Sequence, residues 1–151
     1  MRVLFDASAL LNIIRALGEK ALSYIKDCYE LSLTPYEIGN ALWKETTLLK
    51  RLSMSEALTL LNILSILREK YLVTINPQNH ATILRLAHVL RLTYYDAAYV
   101  VAASEHEAVL VTDDTKLRES MIQHRDIVKR ILGANVEVLS SNEYITLKEQ
   151  V

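Results

Sequence analysis

Short apolar runs alternate along the chain with longer stretches whose apolar positions recur at helical spacing. Val3 to Phe5 is an unbroken apolar triplet. Leu10, Ile13, Ile14 and Leu17 then share one face of a helix expected over about Ala9 to Ala16. Gly18 punctuates it, and Glu19 to Tyr29 reads as a second helical stretch, followed by a strand candidate at Leu31-Ser32-Leu33. Thr34-Pro35-Tyr36-Glu37 is a helix start: an N-cap Thr, Pro at the first helical position and an acid three residues after the cap. That helix is expected to reach about Arg51. Ser53 and Glu56 repeat the spacing and open a helix through about Lys70.

The second half keeps the alternation. Leu72 to Ile75 is a strand, Asn79 to Leu90 a helix, and Thr93 caps a further helix to about His106. Ala108 to Val111 is the most strand-like run. Glu119 to Ile131 is helical, Gly133 stops it, Val136 to Leu139 is a last strand, and Ser141 to Lys148 a short terminal helix. Short strands that are apolar throughout are those buried on both faces, so the pattern predicts an α/β fold on a parallel sheet. In such sheets ligands bind beyond the carboxyl ends of the strands. One helix departs from the ordinary amphipathic stripe. Between Glu56 and Glu69, Ala57, Leu58, Leu60, Leu61, Ile63, Leu64, Ile66 and Leu67 wrap most of the circumference. Such a helix is deeply buried or covered by a partner.

Composition narrows the classes. A length of 151 residues implies one domain over 1–151, able to bury roughly two-thirds of its unfolded surface. An apolar fraction of 51% with few glycines and prolines implies an ordered chain. The net charge of −1 exerts no global pull on nucleic acid, so any such site is a local patch. Cys28 is the only cysteine, which excludes an internal disulfide and thiolate zinc sites. No apolar run approaches the roughly 20 residues of a membrane span, and the first strand and helix do not read as a signal peptide. These features point to the cytoplasm and to no membrane partner.

The candidate chemistry lies in acids at element boundaries. Asp6 follows the first strand, Glu37 and Asp96 open helices, and Asp114 follows the run Val109 to Thr112. Each has a structural alternative as a helix cap or a first-turn acid facing the helix dipole. Together, converging at one sheet edge, they would raise each other's pKa until a cation neutralised them. Mg²⁺ or Mn²⁺ suits an all-oxygen set, retains waters, and assists attack on a phosphodiester. Ser8, Asn40 and Thr112 stand where each could bond a carboxylate or a metal-bound water, and Asp113 lies beside Asp114. Lys44, Lys116 and Arg118 are candidate phosphate contacts. Trp43 and the eight tyrosines could stack on bases, though such aromatics are more often core or rim residues. There is no HExxH motif, G-x-S-x-G elbow or phosphate-binding glycine loop.

The ordered set Asp6-Ala7-Ser8, Glu37-x-x-Asn40, Tyr95-Asp96-Ala97 and Thr112-Asp113-Asp114 resembles the acidic signature of PIN domains over about residues 2 to 140. The small format is most similar to the VapC-type toxins of toxin–antitoxin pairs. The resemblance implies a three-layer fold with sheet order 3-2-1-4-5 and a Mg²⁺- or Mn²⁺-dependent endoribonuclease leaving 5′-phosphate and 3′-hydroxyl ends. It also implies a homodimer and an antitoxin that blocks the site. Asp6, Glu37 and Asp96 match the family's most regular acids, and Asp114 matches the acid of a Thr-x-Asp motif, with Asp113 exchanging roles if the register shifts by one. The alternatives are an RNA-processing nuclease that is not a toxin and a non-catalytic interaction module that keeps the fold.

Overall fold

The apolar runs become five parallel strands in the computed structural model, which describes residues 1–151. They are β1 (Val3–Phe5), β2 (Tyr29–Leu31), β3 (Val73–Ile75), β4 (Val109–Val111) and β5 (Val138–Leu139), in the order β3-β2-β1-β4-β5. The register pairs Val3 with Val109 and Phe5 with Val111 at the sheet centre. The helices are α1 (Ala7–Leu17), α2 (Ala21–Ile25), α3 (Thr34–Trp43), α4 (Met54–Tyr71), α5 (His80–Leu90), α6 (Tyr94–Glu105), α7 (Thr115–Gln123), α8 (Arg125–Leu132) and α9 (Ser141–Glu149). A π-helical turn over Lys44–Leu48 extends α3.

Alternation along the strands divides the core in two. Val3, Phe5, Val109 and Val111 pack with α1 to α4 and with Tyr144 of α9. Leu4, Leu31 and Leu110 face the other way, against residues of α5 to α8. Helices thus cover both faces of the sheet, the three-layer arrangement that all-parallel strands require. α6 is buried at every residue from Ala97 to Ala103 and packs against the central strands β1 and β4. β1 and β4 lie side by side, but the chain leaves them toward opposite edges. Their carboxyl ends form the switch point where such folds place ligands.

Several boundaries differ from the sequence reading. α2 ends at Ile25 instead of continuing to Tyr29, because Asp27 adopts a left-handed conformation and donates its backbone N–H to Tyr71 O. The second strand therefore begins at Tyr29, two residues before the expected Leu31. Thr34 does not cap α3: Leu33 holds the cap position without a side-chain bond, while the Thr34 hydroxyl accepts from Leu31 N. The single helix expected over Glu119 to Ile131 is two helices, α7 and α8, broken at His124. Leu117, Met121, Val128 and Leu132 keep helical spacing across that break, so the pattern does not reveal it.

The all-round apolar helix is α4, with the capping box of Ser53 and Glu56 in place. It is not deeply buried. Only Ala57 and Leu64 are buried, whereas Leu58, Ile63 and Ile66 are exposed. No helix of the chain is long and apolar enough to cross a membrane.

Candidate active site

Asp6 is delivered by the end of β1. It caps α1, its Oδ1 accepting from Ala9 N at 2.9 Å and from the Ser8 hydroxyl at 2.7 Å. Its Oδ2 accepts from the Thr112 hydroxyl at the end of β4. Burial pushes Asp6 up from an ordinary 3.8 to about 6, against the lowering effect of these donors. No arginine, lysine or histidine bonds it. It is a buried acid stabilised by neutral dipoles alone, which makes its ionised form expensive.

Glu37 stands in the first turn of α3, half-buried. Its Oε1 accepts from the hydroxyl of Tyr99 at 2.6 Å, and Tyr99 also pairs with Thr34 at 2.8 Å. Burial raises the Glu37 pKa and the Tyr99 bond opposes the rise, with the charges of Asp6 and Asp96 adding to it. Tyr99 itself is pushed up by burial and by Glu37, so it remains a phenol and can only donate to that carboxylate. The sequence reading did not single out Tyr99. The available signal was its place one turn after Asp96, on the same face of α6.

Asp96 is the third residue of α6. Thr93 caps the helix by accepting from Asp96 N at 3.1 Å, but no reciprocal bond ties the Asp96 side chain to the Thr93 backbone. Burial raises its pKa and the charge of Asp114 raises it further. Asp114 follows β4 and caps α7 through Leu117 N at 3.0 Å. Its own N–H donates to Thr112, whose hydroxyl therefore links Asp6 and Asp114.

These four acids, drawn from β1, α3, α6 and the end of β4, all line one open cleft of about 680 Å³. Ser8, Asn40 and Lys44 line it too. Asn40 follows Glu37 by one turn, as its spacing predicted. Asp113 does not line it. That carboxylate turns toward α1 and α9, accepting from Asn12 Nδ2 at 2.7 Å and Ser141 N at 2.8 Å. The structure therefore separates the adjacent acids, Asp114 facing the cleft and Asp113 clamping helices. Lys116 is near enough to lower the Asp96 pKa but does not line the cleft. Arg118 lies 3.8 Å from Glu143 of α9 and is likewise absent from the lining.

The donor chemistry fits a hard divalent cation. The cleft offers four carboxylates, one amide, one serine hydroxyl and two tyrosine phenols, with no thiol or imidazole. Three of the four carboxyls have raised pKa values, with burial the largest cause in each. A nearby dication would reverse that direction. As they stand, no three of them are gathered tightly enough to chelate an ion by themselves. A small hard cation such as Mg²⁺ typically takes only one or two carboxylates directly and keeps several waters.

No family model matches the chain. It is 37% identical over 114 residues to the exonuclease VapC9 of Pyrobaculum aerophilum, spanning 76% of this chain and 81% of that protein. It is 32% identical over 130 residues to the ribonuclease VapC3 of the same organism, spanning 79% and 94%. The crystal structure of PAE2754 from that organism superposes with a TM-score of 0.66 at 30% identity, covering 89% of this chain and 91% of its own.

Proposed function

The chain belongs to the VapC-type PIN-domain nucleases, and on that premise we propose that it is a Mg²⁺- or Mn²⁺-dependent endoribonuclease, the toxin of a toxin–antitoxin pair. The observation that carries this reading is the convergence of Asp6, Glu37, Asp96 and Asp114 on one cleft, where buried Asp6 has no internal counter-cation. The residues 1–151 act as one PIN-like domain. Asp6, Asp96, Asp114 and Glu37 hold the cation directly or through water. When bound, the cation supplies Lewis-acid activation of water and offsets charge at the phosphodiester.

The chain's own groups then set the geometry. Thr112 and Ser8 fix the rotamer of Asp6, and Thr112 ties it to Asp114. Tyr99 aims Glu37, and Asn40 one turn along α3 stands ready to orient a water. Lys44 is the cationic side chain lining the cleft and is placed to hold a substrate phosphate. The exposed Leu58, Ile63 and Ile66 of α4 are a surface for a second copy of the chain or for an antitoxin, and the reading includes both partners.

The test compares purified wild type, Asp96→Asn and Asp6→Asn on a labelled pool of unpaired RNA, with Mn²⁺ or with EDTA. Wild type should cut internally only with the cation. Each substitution should lower the rate on the order of a thousandfold, several kcal/mol of lost charge stabilisation, with circular dichroism unchanged. Asp114→Asn should resemble them and Asp113→Asn should be milder. Equal cutting by wild type and Asp96→Asn would place the activity in another site or a contaminant.

A further inference from the structure

Two tyrosines of the cleft have no structural employment. Tyr36 precedes Glu37 in the first turn of α3, and Tyr95 precedes Asp96 in the first turn of α6. Both line the cleft. Tyr36 is 81% exposed and Tyr95 61%. The other tyrosines near these helices are used by the fold. Tyr99 is buried and bonded to Thr34 and Glu37, and the Tyr94 hydroxyl meets His80 Nδ1 at 2.9 Å. A ring left so exposed contributes little to folding, since most of its apolar area stays in water.

Their placement suggests what covers them. Each ring is fixed one residue before a carboxylate of the site, so the position of each ring is tied to the position of the reacting phosphate. Leu33 and Ala41 add apolar surface to the same cleft. A strand seated with a phosphodiester at the acids must carry a nucleoside to either side. Every base has a π-face, and stacking on an aromatic side chain is tolerant of sequence.

We infer that Tyr36 and Tyr95 form two base-stacking subsites flanking the scissile phosphate, which select a strand whose bases are free to turn out onto the rings. This rests on the phosphodiesterase reading above. A base inside a duplex has both faces occupied by its neighbours and can offer neither ring a surface. Selectivity for unpaired strand therefore arises from two side chains that touch bases and take no part in holding the cation.

The experiment separates binding from cutting. An oligoribonucleotide containing 2-aminopurine, unpaired or annealed to its complement, is titrated with Asp6→Asn protein in Mg²⁺, so that the strand stays intact. The unpaired strand should bind with quenched fluorescence. Tyr36→Ala and Tyr95→Ala in that background should each weaken binding about tenfold and relieve quenching, and Tyr→Phe at either position should restore both. Binding of the duplex should be weaker and indifferent to these changes. Alanine variants that bind and quench like the parent, or that lose equally on the duplex, overturn the inference. So does a change of oligomeric state in sedimentation with nucleotide affinity unchanged, which would assign the rings to a protein contact. Quenching that depends on the tyrosines while wild type cuts no RNA with Mn²⁺ would sustain the subsites and overturn the nuclease reading. A protein that neither binds nor cuts overturns both.

Discussion

Two carboxylates in this protein are almost fully buried, and they are treated in opposite ways. Glu30 on β2 is 2% exposed and is gripped by Arg68 of α4, whose Nε and Nη2 donate at 2.5 and 2.6 Å. Asp6 at the end of β1 is 7% exposed and receives only two hydroxyls and one backbone N–H. The guanidinium completes Glu30 within the fold, in the bidentate geometry that best offsets desolvation. Asp6 lines a cleft with no cation bonded to it, and burial pushes its pKa up to about 6. A carboxylate answered from inside belongs to the structure. One that the fold desolvates without supplying a cation is a candidate functional group.

The largest expected effect falls on the answered acid. Arg68→Ala removes the only cation from Glu30 and should destabilise the chain by about 3–5 kcal/mol. Urea denaturation measures it, and the double change Arg68→Met with Glu30→Gln should recover most of the loss. Little loss in the single variant would mean that water answers Glu30 once the guanidinium is gone, and the contrast with Asp6 would dissolve.

The unanswered acid should respond with the opposite sign. Because the folded pKa lies above the ordinary 3.8, the folded chain holds a proton that the unfolded chain has released between pH 4 and 6. The associated stability is complete below about pH 4 and is lost as pH rises through 6. In EDTA, Asp6→Asn should therefore be more stable than wild type at pH 7, by up to about 3 kcal/mol, and nearly equal to it at pH 4. Mn²⁺ should close the gap at pH 7 by stabilising wild type through mass action. Parallel stability–pH curves for the two proteins would show that Asp6 has the same proton affinity in the folded and unfolded chain.

A smaller effect sharpens it. Tyr99→Phe keeps the packing of α6 but deletes the donor that holds Glu37 down. Cleavage should fall about tenfold, roughly 1.4 kcal/mol. Its acidic limb should move to higher pH because Glu37 then protonates more readily. A uniform rate loss with an unmoved pH profile would show that the hydroxyl matters only for folding.

Much of this was legible in the chain. Unbroken apolar triplets such as Val109 to Val111 announce strands covered on both faces, and helices between them force parallel connections. Asp6, Glu37, Asp96 and Asp114 each sit one to three residues from an element boundary, so local pattern alone brought them to notice. What local pattern cannot supply is direction. Asp113 and Asp114 are equivalent in sequence, yet one bonds Asn12 and Ser141 while the other faces the cleft. That choice depends on the backbone leaving β4 and on groups some thirty to a hundred residues away.

The same limit explains α4 and Tyr99. An apolar circumference over Glu56 to Glu69 is visible in the sequence, but how much of it the chain itself covers depends on how α4 seats against α2 and α3. Tyr99 reads as one more ring in an apolar helix until α3 brings Glu37 to within 2.6 Å of its hydroxyl. Periodicity, capping and composition are short-range properties, enough to place most of the elements and the acids at their ends but not the break between α7 and α8. Which acids meet, which one goes unanswered, and which tyrosines stay bare are sums over contacts between distant segments, and only the packed sheet decided them.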